Sequence, residues 1–162
     1  NTKTYNGLVA LGELMTSLGL GSGYQMNHMP SEQFEAEPES FDAAFSSPPY
    51  FNLETYTDEP TQCMNSCSNL DEWFDKYAEP TIKMLHRVLV KEGMYAVNIA
   101  DYKDGKEVFN IVDRWKEVSE QNGFRYVEQI DMLLNVRPGQ GNNKLENAYK
   151  SEGIYVFKKV DI

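Results

Sequence analysis

The sequence is poor in cysteine, in histidine and, over its first half, in positive charge. Cys63 and Cys67 are the only cysteines in 162 residues, four positions apart in a polar stretch. Two thiols are too few for a disulfide framework or a tetrahedral zinc site, so both are expected to be reduced and no metal is predicted. No apolar run approaches the roughly 18 to 20 residues of a membrane span. No signal-peptide pattern precedes the first helix-like segment, so a cytoplasmic protein with no membrane partner is expected. His28 and His86 are the only histidines. Neither has a partner close in sequence, and structural roles are expected for both. Internal repeats and low-complexity tracts are absent as well.

Charge is short on one side only. Residues 1–75 contain a single cation, Lys3, against twelve acids, net −11; residues 76–162 contain fourteen cations against thirteen acids, net +1. This excludes a free-standing, charge-driven nucleic-acid binder. What is present, 41% hydrophobic and 12% aromatic residues, is the composition of a folded globular protein, and the length fits one domain.

Leu8, Leu11, Leu14, Met15 and Leu18 recur at three- and four-residue steps, predicting a helix over about 4–18. Gly19, Gly21 and Gly23 follow it and read as a cap and connection, because a phosphate-cradling turn runs from strand to helix and this one runs from helix to strand. Five strands are predicted, at about 24–29, 41–46, 94–100, 125–134 and 153–160, with 41–45 a buried strand. A long helix is predicted from the Asn69 cap to Glu92-Gly93, with Pro80 as a kink. Another is predicted over 106–122, closed by Gly123. The alternation implies an α/β sheet, mostly parallel, whose last strand inserts antiparallel.

The most informative stretch is Phe41-Asp-Ala-Ala-Phe-Ser-Ser-Pro-Pro-Tyr-Phe51. An apolar strand that runs into Ser47-Pro48-Pro49-Tyr50 sets a rigid backbone at the carboxyl edge of a sheet, where open α/β folds bind ligands. Prolines have no N–H, so the backbone of Pro48 and Pro49 can only accept hydrogen bonds, which suits a substrate amine. The ring of Tyr50 or Phe51 can stack on a planar base. Equally, Pro-Pro can simply end a strand and Tyr50 can fill a core.

Ser47-Pro48-Pro49-Tyr50 resembles the (D/N/S)-P-P-(Y/F) motif of S-adenosylmethionine-dependent methyltransferases that modify exocyclic amino groups of cytosine (N4) or adenine (N6) in DNA. The long helix ending in Leu89-Val90-Lys91-Glu92-Gly93, and the strand Met94 to Ala100 with Asn98 near its end, resemble the segments that follow in that family. The resemblance covers roughly residues 1–160 and implies a Rossmann-like class I methyltransferase sheet. It also implies that the Ser47 side chain and the Pro48 carbonyl accept hydrogen bonds from the target amine, while Tyr50, with Phe51, stacks on a flipped-out base. Pro49 completes the catalytic turn. S-adenosylmethionine is the implied cofactor, with Ser31, Glu32 and Ser47 expected to contact it. Transfer from a sulfonium has a good leaving group, so positioning and electrostatics carry such a reaction and no metal is needed.

The family's sheet has seven strands, and its glycine-rich strand–turn–helix and ribose-holding acid precede this motif. Neither is recognisable here, so residues 1–162 are expected to be a partial catalytic domain that lacks its first two strands. Arg137 and Lys144, in the loop Arg137 to Lys144, are the cations expected to approach a phosphate backbone. The polar stretch Thr57 to Asn69 is either a lid over the target or a segment with no role. DNA is the expected partner, reached through a missing or separate recognition segment, in phage or bacterial DNA modification such as a restriction-modification system. The acidity beside the motif opposes unaided duplex binding. The same motif also occurs in enzymes that methylate protein glutamine or RNA bases, and a non-catalytic remnant of the fold is a further alternative. An incomplete sheet would expose an edge and an apolar face, so self-association is expected.

Overall fold

Trp73, Phe74, Ile82, Ile111 and Trp115 are each at most 2% exposed, and burying them against one face of a sheet fixes the architecture. Each such side chain contributes about 1.5–3 kcal/mol when removed from water. The computed structural model describes residues 2–20, 23–52, 66–135 and 149–161. In chain order these form α1 (Thr2–Ser17), a 3-10 turn (Ser31–Gln33) and β1 (Phe41–Ser46). A continuous helical segment follows, made of α2 (Leu70–Trp73), a π turn (Phe74–Ala78) and α3 (Glu79–Val88). Then come β2 (Leu89–Ile99), β3 (Tyr102–Asp104), β4 (Glu107–Phe109), α4 (Ile111–Gln121), β5 (Phe124–Asn135) and β6 (Tyr149–Lys159).

The main sheet has the order β1-β2-β6-β5, with β1 parallel to β2 and β6 antiparallel to both of its neighbours. Three strands therefore run one way, and the last strand of the chain is inserted against them, as the sequence predicts. β3 and β4 pair as a separate hairpin. The Lys159 ammonium, in a nearly buried side chain, donates to the Leu89 carbonyl at 2.8 Å and to the Glu39 carboxylate at 3.2 Å. It thereby ties the end of β6 to the start of β2.

The long helix begins as expected. The Asn69 side chain accepts the Glu72 N–H at 2.9 Å, which satisfies one of the donors a helix start leaves open, and the Glu72 carboxylate accepts the N–H of Ser68, just before the cap, at 3.0 Å. The π turn lies immediately before Pro80, whose missing N–H and bulky ring cannot enter the regular ladder. The helix does not run to Gly93, however. It ends at Val88, and Leu89 is already extended. Glu92 adopts φ 64°, and a Cβ on Gly93 would lie 2.8 Å from the Val90 carbonyl and 3.2 Å from that of Asp42. Gly93 is thus needed for close approach of β1 and β2 beside a register shift, and it does not cap the helix.

Three other expectations change. Residues 24–29 form no strand and join no ladder among the described residues. The helix over 106–122 starts only at Ile111, since Asp104-Gly105 (φ 58°) turns the chain into the β3–β4 hairpin. The strand at 41–46 forms but is not buried: only Ala44 is partly covered, and Phe45 is 66% exposed. Among the described residues, β1 has a partner on one side only, and helices cover only one of the sheet's faces. Gly123, at φ 81°, does close α4 as expected.

The covered face packs Tyr95, Val97, Tyr155, Phe157 and Phe124 against Trp73, Trp115 and Ile82. There the Tyr95 hydroxyl meets the Ser119 hydroxyl and accepts the Trp115 indole N–H at 3.3 Å. The register places Phe45, Ala96 and Val156 in one row of the other face and Ile130 beside Ile154 in the next. Phe45, Met94 and Ile130 are exposed there. Helix α1 forms as predicted, but Leu8, Leu11, Leu14 and Leu18 are also exposed. Tyr24 and Met26 pack against its Gly12, and Tyr5 stacks on His28 at 4.6 Å. Among the described residues, no helix is long and apolar enough to cross a membrane.

Candidate active site

β1 delivers its last residues to the carboxyl edge of the sheet, and the Ser47-Pro48-Pro49-Tyr50-Phe51-Asn52 turn follows directly. Ser47 is exposed, Pro48 buried, Pro49 and Tyr50 half-buried. The Ser47 hydroxyl donates to the Asn98 side-chain oxygen at 3.4 Å, and the buried Asn98 amide donates to the Gly153 carbonyl at 3.2 Å. Ser47, at the end of β1, is thus fastened to β2 and through it to β6.

The two aromatic residues of the turn take different places. Tyr50 lies parallel to Tyr102, 5.6 Å between ring centroids and 5° apart. Tyr102 in turn stacks on Phe109 at 4.9 Å. Phe51 is buried, its ring 5.9 Å from that of Phe109, so it belongs to the core where the sequence suggested a second stacking ring. The Tyr102 hydroxyl donates to the Phe51 carbonyl and to the Asn52 side-chain oxygen, and Asn52 occupies the left-handed region at φ 53°. Burial, then the carboxylates of Asp104 and Glu107, push the Tyr102 phenol up to about 12. It therefore remains a neutral donor at ordinary pH.

Beside Phe51 lies a cavity of about 370 Å³ lined by Phe51, Asn52, Cys67, Ser68, Asn69, Leu70, Glu107 and Phe109, at the small end of the on-the-order-of 300–1,000 Å³ typical of ligand sites. Cys67 is buried with a free thiol. Cys63 and most of the stretch considered as a lid lie outside the described residues.

Ser31 and Glu32, expected on the cofactor, are not brought to this edge. They belong to the 3-10 turn that packs on α3. That turn leads into a segment fastened at the far end of the sheet, where Arg87 donates to the Phe34 and Ala36 carbonyls and Phe34 meets Phe41 at the start of β1. Of the three residues expected at the cofactor, only Ser47 stands at the carboxyl edge. Arg137 and Lys144 lie outside the described residues. His28 is exposed against Tyr5, and His86 packs edge-on to Phe124. Among the described residues, no three His, Cys, Asp or Glu side chains converge as a metal site would require. Sequence reasoning missed Tyr102; its signal was an aromatic directly beyond the carboxyl end of β2.

The sequence matches no family model and no curated protein. Solved structures do match. A provisionally assigned DNA modification methylase from Thermus thermophilus, complexed with S-adenosyl-L-methionine, superposes with a TM-score of 0.53 at 16% identity over 83% of this chain and 52% of its own. A Burkholderia thailandensis 1,6-didemethyltoxoflavin-N1-methyltransferase, with its substrate and S-adenosylhomocysteine, gives 0.51 at 12% identity over 90% of this chain and 55% of its own. The fold is the Rossmann-like class I methyltransferase fold. The same fold carries other chemistry, since the cyclase SpnF matches with a TM-score of 0.54 at 12% identity, over 92% of this chain and 61% of its own. This chain spans between half and two thirds of the length of these relatives.

Proposed function

We propose that this chain carries the amine-binding side of an S-adenosylmethionine-dependent methyl transfer to an exocyclic amino group of a DNA base, cytosine N4 or adenine N6. The observation that carries the reading is the Ser47–Tyr50 turn at the carboxyl edge, with a hydroxyl and a proline-fixed backbone beside a stacked tyrosine. An exocyclic amine has two N–H donors. The Ser47 oxygen and the Pro48 carbonyl are acceptors held by a rigid turn, so together they would fix both N–H bonds and aim the nitrogen lone pair outward. The Tyr50 ring would take the base into the Tyr50–Tyr102–Phe109 stack.

S-adenosylmethionine, bound by the DNA methylase of the same fold, supplies an electrophilic methyl on a positively charged sulfur. With that cofactor bound, Ser47 and Pro48 would hold the amine nitrogen toward the methyl, and the nitrogen would lose one proton to water as it takes the methyl up. The acceptors on Ser47 and Pro48 stabilise the positive charge that grows on that nitrogen. Ser47 fits the cofactor side by its place at the edge, whereas Ser31 and Glu32 do not, being held with the far end of the sheet.

A second reading has its own support. The first 75 residues carry one cation against twelve acids, and phosphate contacts supply most non-specific DNA affinity. A neutral side-chain amide, such as a protein glutamine, meets no such repulsion. Incubation of the full-length protein with methyl-labelled S-adenosylmethionine and either duplex DNA or protein separates the two. Label in DNA that disappears in Ser47→Ala is expected; label only in protein would establish the second reading, and label in neither would end both.

A further inference from the structure

Asn98 is a buried amide whose two polar ends are both used. Its Nδ2 donates to the Gly153 carbonyl at 3.2 Å, while its Oδ1 accepts from the Ser47 hydroxyl at 3.4 Å. The Gly153 contact decides which end of the amide faces which way, because a carbonyl accepts only from the NH₂ group. The position of that carbonyl is itself fixed: the Tyr155 ring lies over Gly153 so closely that a Cβ there would be 2.7 Å from it. The Asn98 oxygen is therefore left toward β1, and the only proton it meets there among the described contacts is that of Ser47.

We propose that Asn98 is a positioning residue that commits the Ser47 hydroxyl proton and so makes Ser47 a pure acceptor. A free serine hydroxyl rotates and offers a donor as readily as a lone pair. An amine held by such a hydroxyl could be bound through its own lone pair, which would block its reaction. With the proton engaged by Asn98, only oxygen lone pairs are presented outward, and they select the N–H side of an amine while its lone pair stays free. This rests on the reading of Ser47 as the amine acceptor given above. It adds a preference for N–H donors over hydroxyl or carbonyl ligands at the same edge, imposed by a residue outside the motif.

The full-length protein and three variants test it. Leucine copies the shape of the Asn98 amide without its polar atoms. Aspartate keeps an oxygen for the Ser47 proton but turns a carboxylate toward the Gly153 carbonyl. If Asn98 acts through Ser47, Asn98→Asp should retain roughly tenfold more kcat than Asn98→Leu in methyl transfer from S-adenosylmethionine to DNA, with KM for DNA moving by less than about threefold. A purely structural role gives the reverse order, since the carboxylate damages the Gly153 contact more than leucine does, and that result would overturn the proposal. A second readout needs no activity: in Ser47→Ala, at an exposed position, the side-chain amide resonances of Asn98 should shift. Unmoved resonances overturn the assignment whatever the transfer rates. Resonances that move in a chain transferring no methyl would instead overturn the proposed function and leave the hydroxyl's orientation supported.

Discussion

The ring of Tyr102 lies 5.6 Å from that of Tyr50 and within 5° of parallel, while its hydroxyl holds the Phe51 carbonyl. One residue beyond the motif thus fixes both the aromatic plane and the backbone of the turn. Tyr102→Phe keeps the stack and removes the hydrogen bonds, and should cost about 1 kcal/mol in urea unfolding. Tyr102→Ala also removes the contacts with Tyr50 and Phe109 and should cost about 3 kcal/mol in all. Equal losses for the two variants would show that the hydroxyl alone matters.

The raised phenol of Tyr102 predicts an alkaline limit. An unfolded tyrosine loses its proton near about pH 10, whereas Tyr102 holds its own to about 12, chiefly through burial. Its contribution is therefore complete below pH 10 and is lost as pH rises from 10 toward 12, where the unfolded state ionises first. Tyr95 is shifted the same way by burial. In a spectroscopic titration of the ten tyrosines, a late-ionising fraction should appear and shrink in Tyr102→Phe.

Ser47 and Trp115 should separate function from folding. Ser47→Ala alters an exposed side chain and should change stability by less than about 0.5 kcal/mol while lowering methyl transfer by roughly a hundredfold. Trp115→Ala empties part of the core and should cost about 3–5 kcal/mol. Denaturation and transfer assays on the same preparations check both.

Gly93→Ala should weaken the junction of β1 and β2. The added methyl would meet two backbone carbonyls, which cannot swing aside as a side chain does, so a loss of about 1–3 kcal/mol is expected. Hydrogen exchange at Ala43 to Phe45 should quicken in the variant, and unchanged exchange would contradict this account of the glycine.

The uncovered sheet face and α1 predict association. Phe45, Met94 and Ile130 stand exposed on one, Leu11 and Leu14 on the other, and contiguous apolar surface of this kind rarely stays in water. Sedimentation of the chain should show concentration-dependent association, diminished by Phe45→Lys. A monomer at all concentrations would count against it.

The parts of this fold that the sequence announces are those governed by local rules. The helix stripe of α1, the Asn69 cap, the Gly123 stop and the insertion of the last strand all follow from spacing and from residues that tolerate one conformation. The same holds for Ser47 through Tyr50, whose prolines force a turn wherever the preceding strand ends. What was hidden depends on neighbours distant in sequence. Glu92-Gly93 reads as a helix end until β1 is seen pressed against it, and Phe41 to Phe45 reads as buried because an apolar strand normally is. The Asp104-Gly105 hairpin was masked by apolar residues that also fit a helix. Tyr102 and Asn98 act across about fifty positions of sequence on Phe51 and Ser47, a pairing that no local pattern displays.

The insertion of β6 also sets a schedule for the chain as it is made. β5 is synthesised before β6, yet among the described residues its only partner in the sheet is β6, and the same strand is the one that joins it to β2. Until the residues up to Lys159 have emerged from the ribosome, the β1–β2 pair and β5 share no strand ladder and meet only through core contacts such as Tyr95 on Phe124. Closing the sheet must wait for β6, and during that wait the edges of β2 and β5 that β6 will join stand open to chaperones or to neighbouring nascent chains.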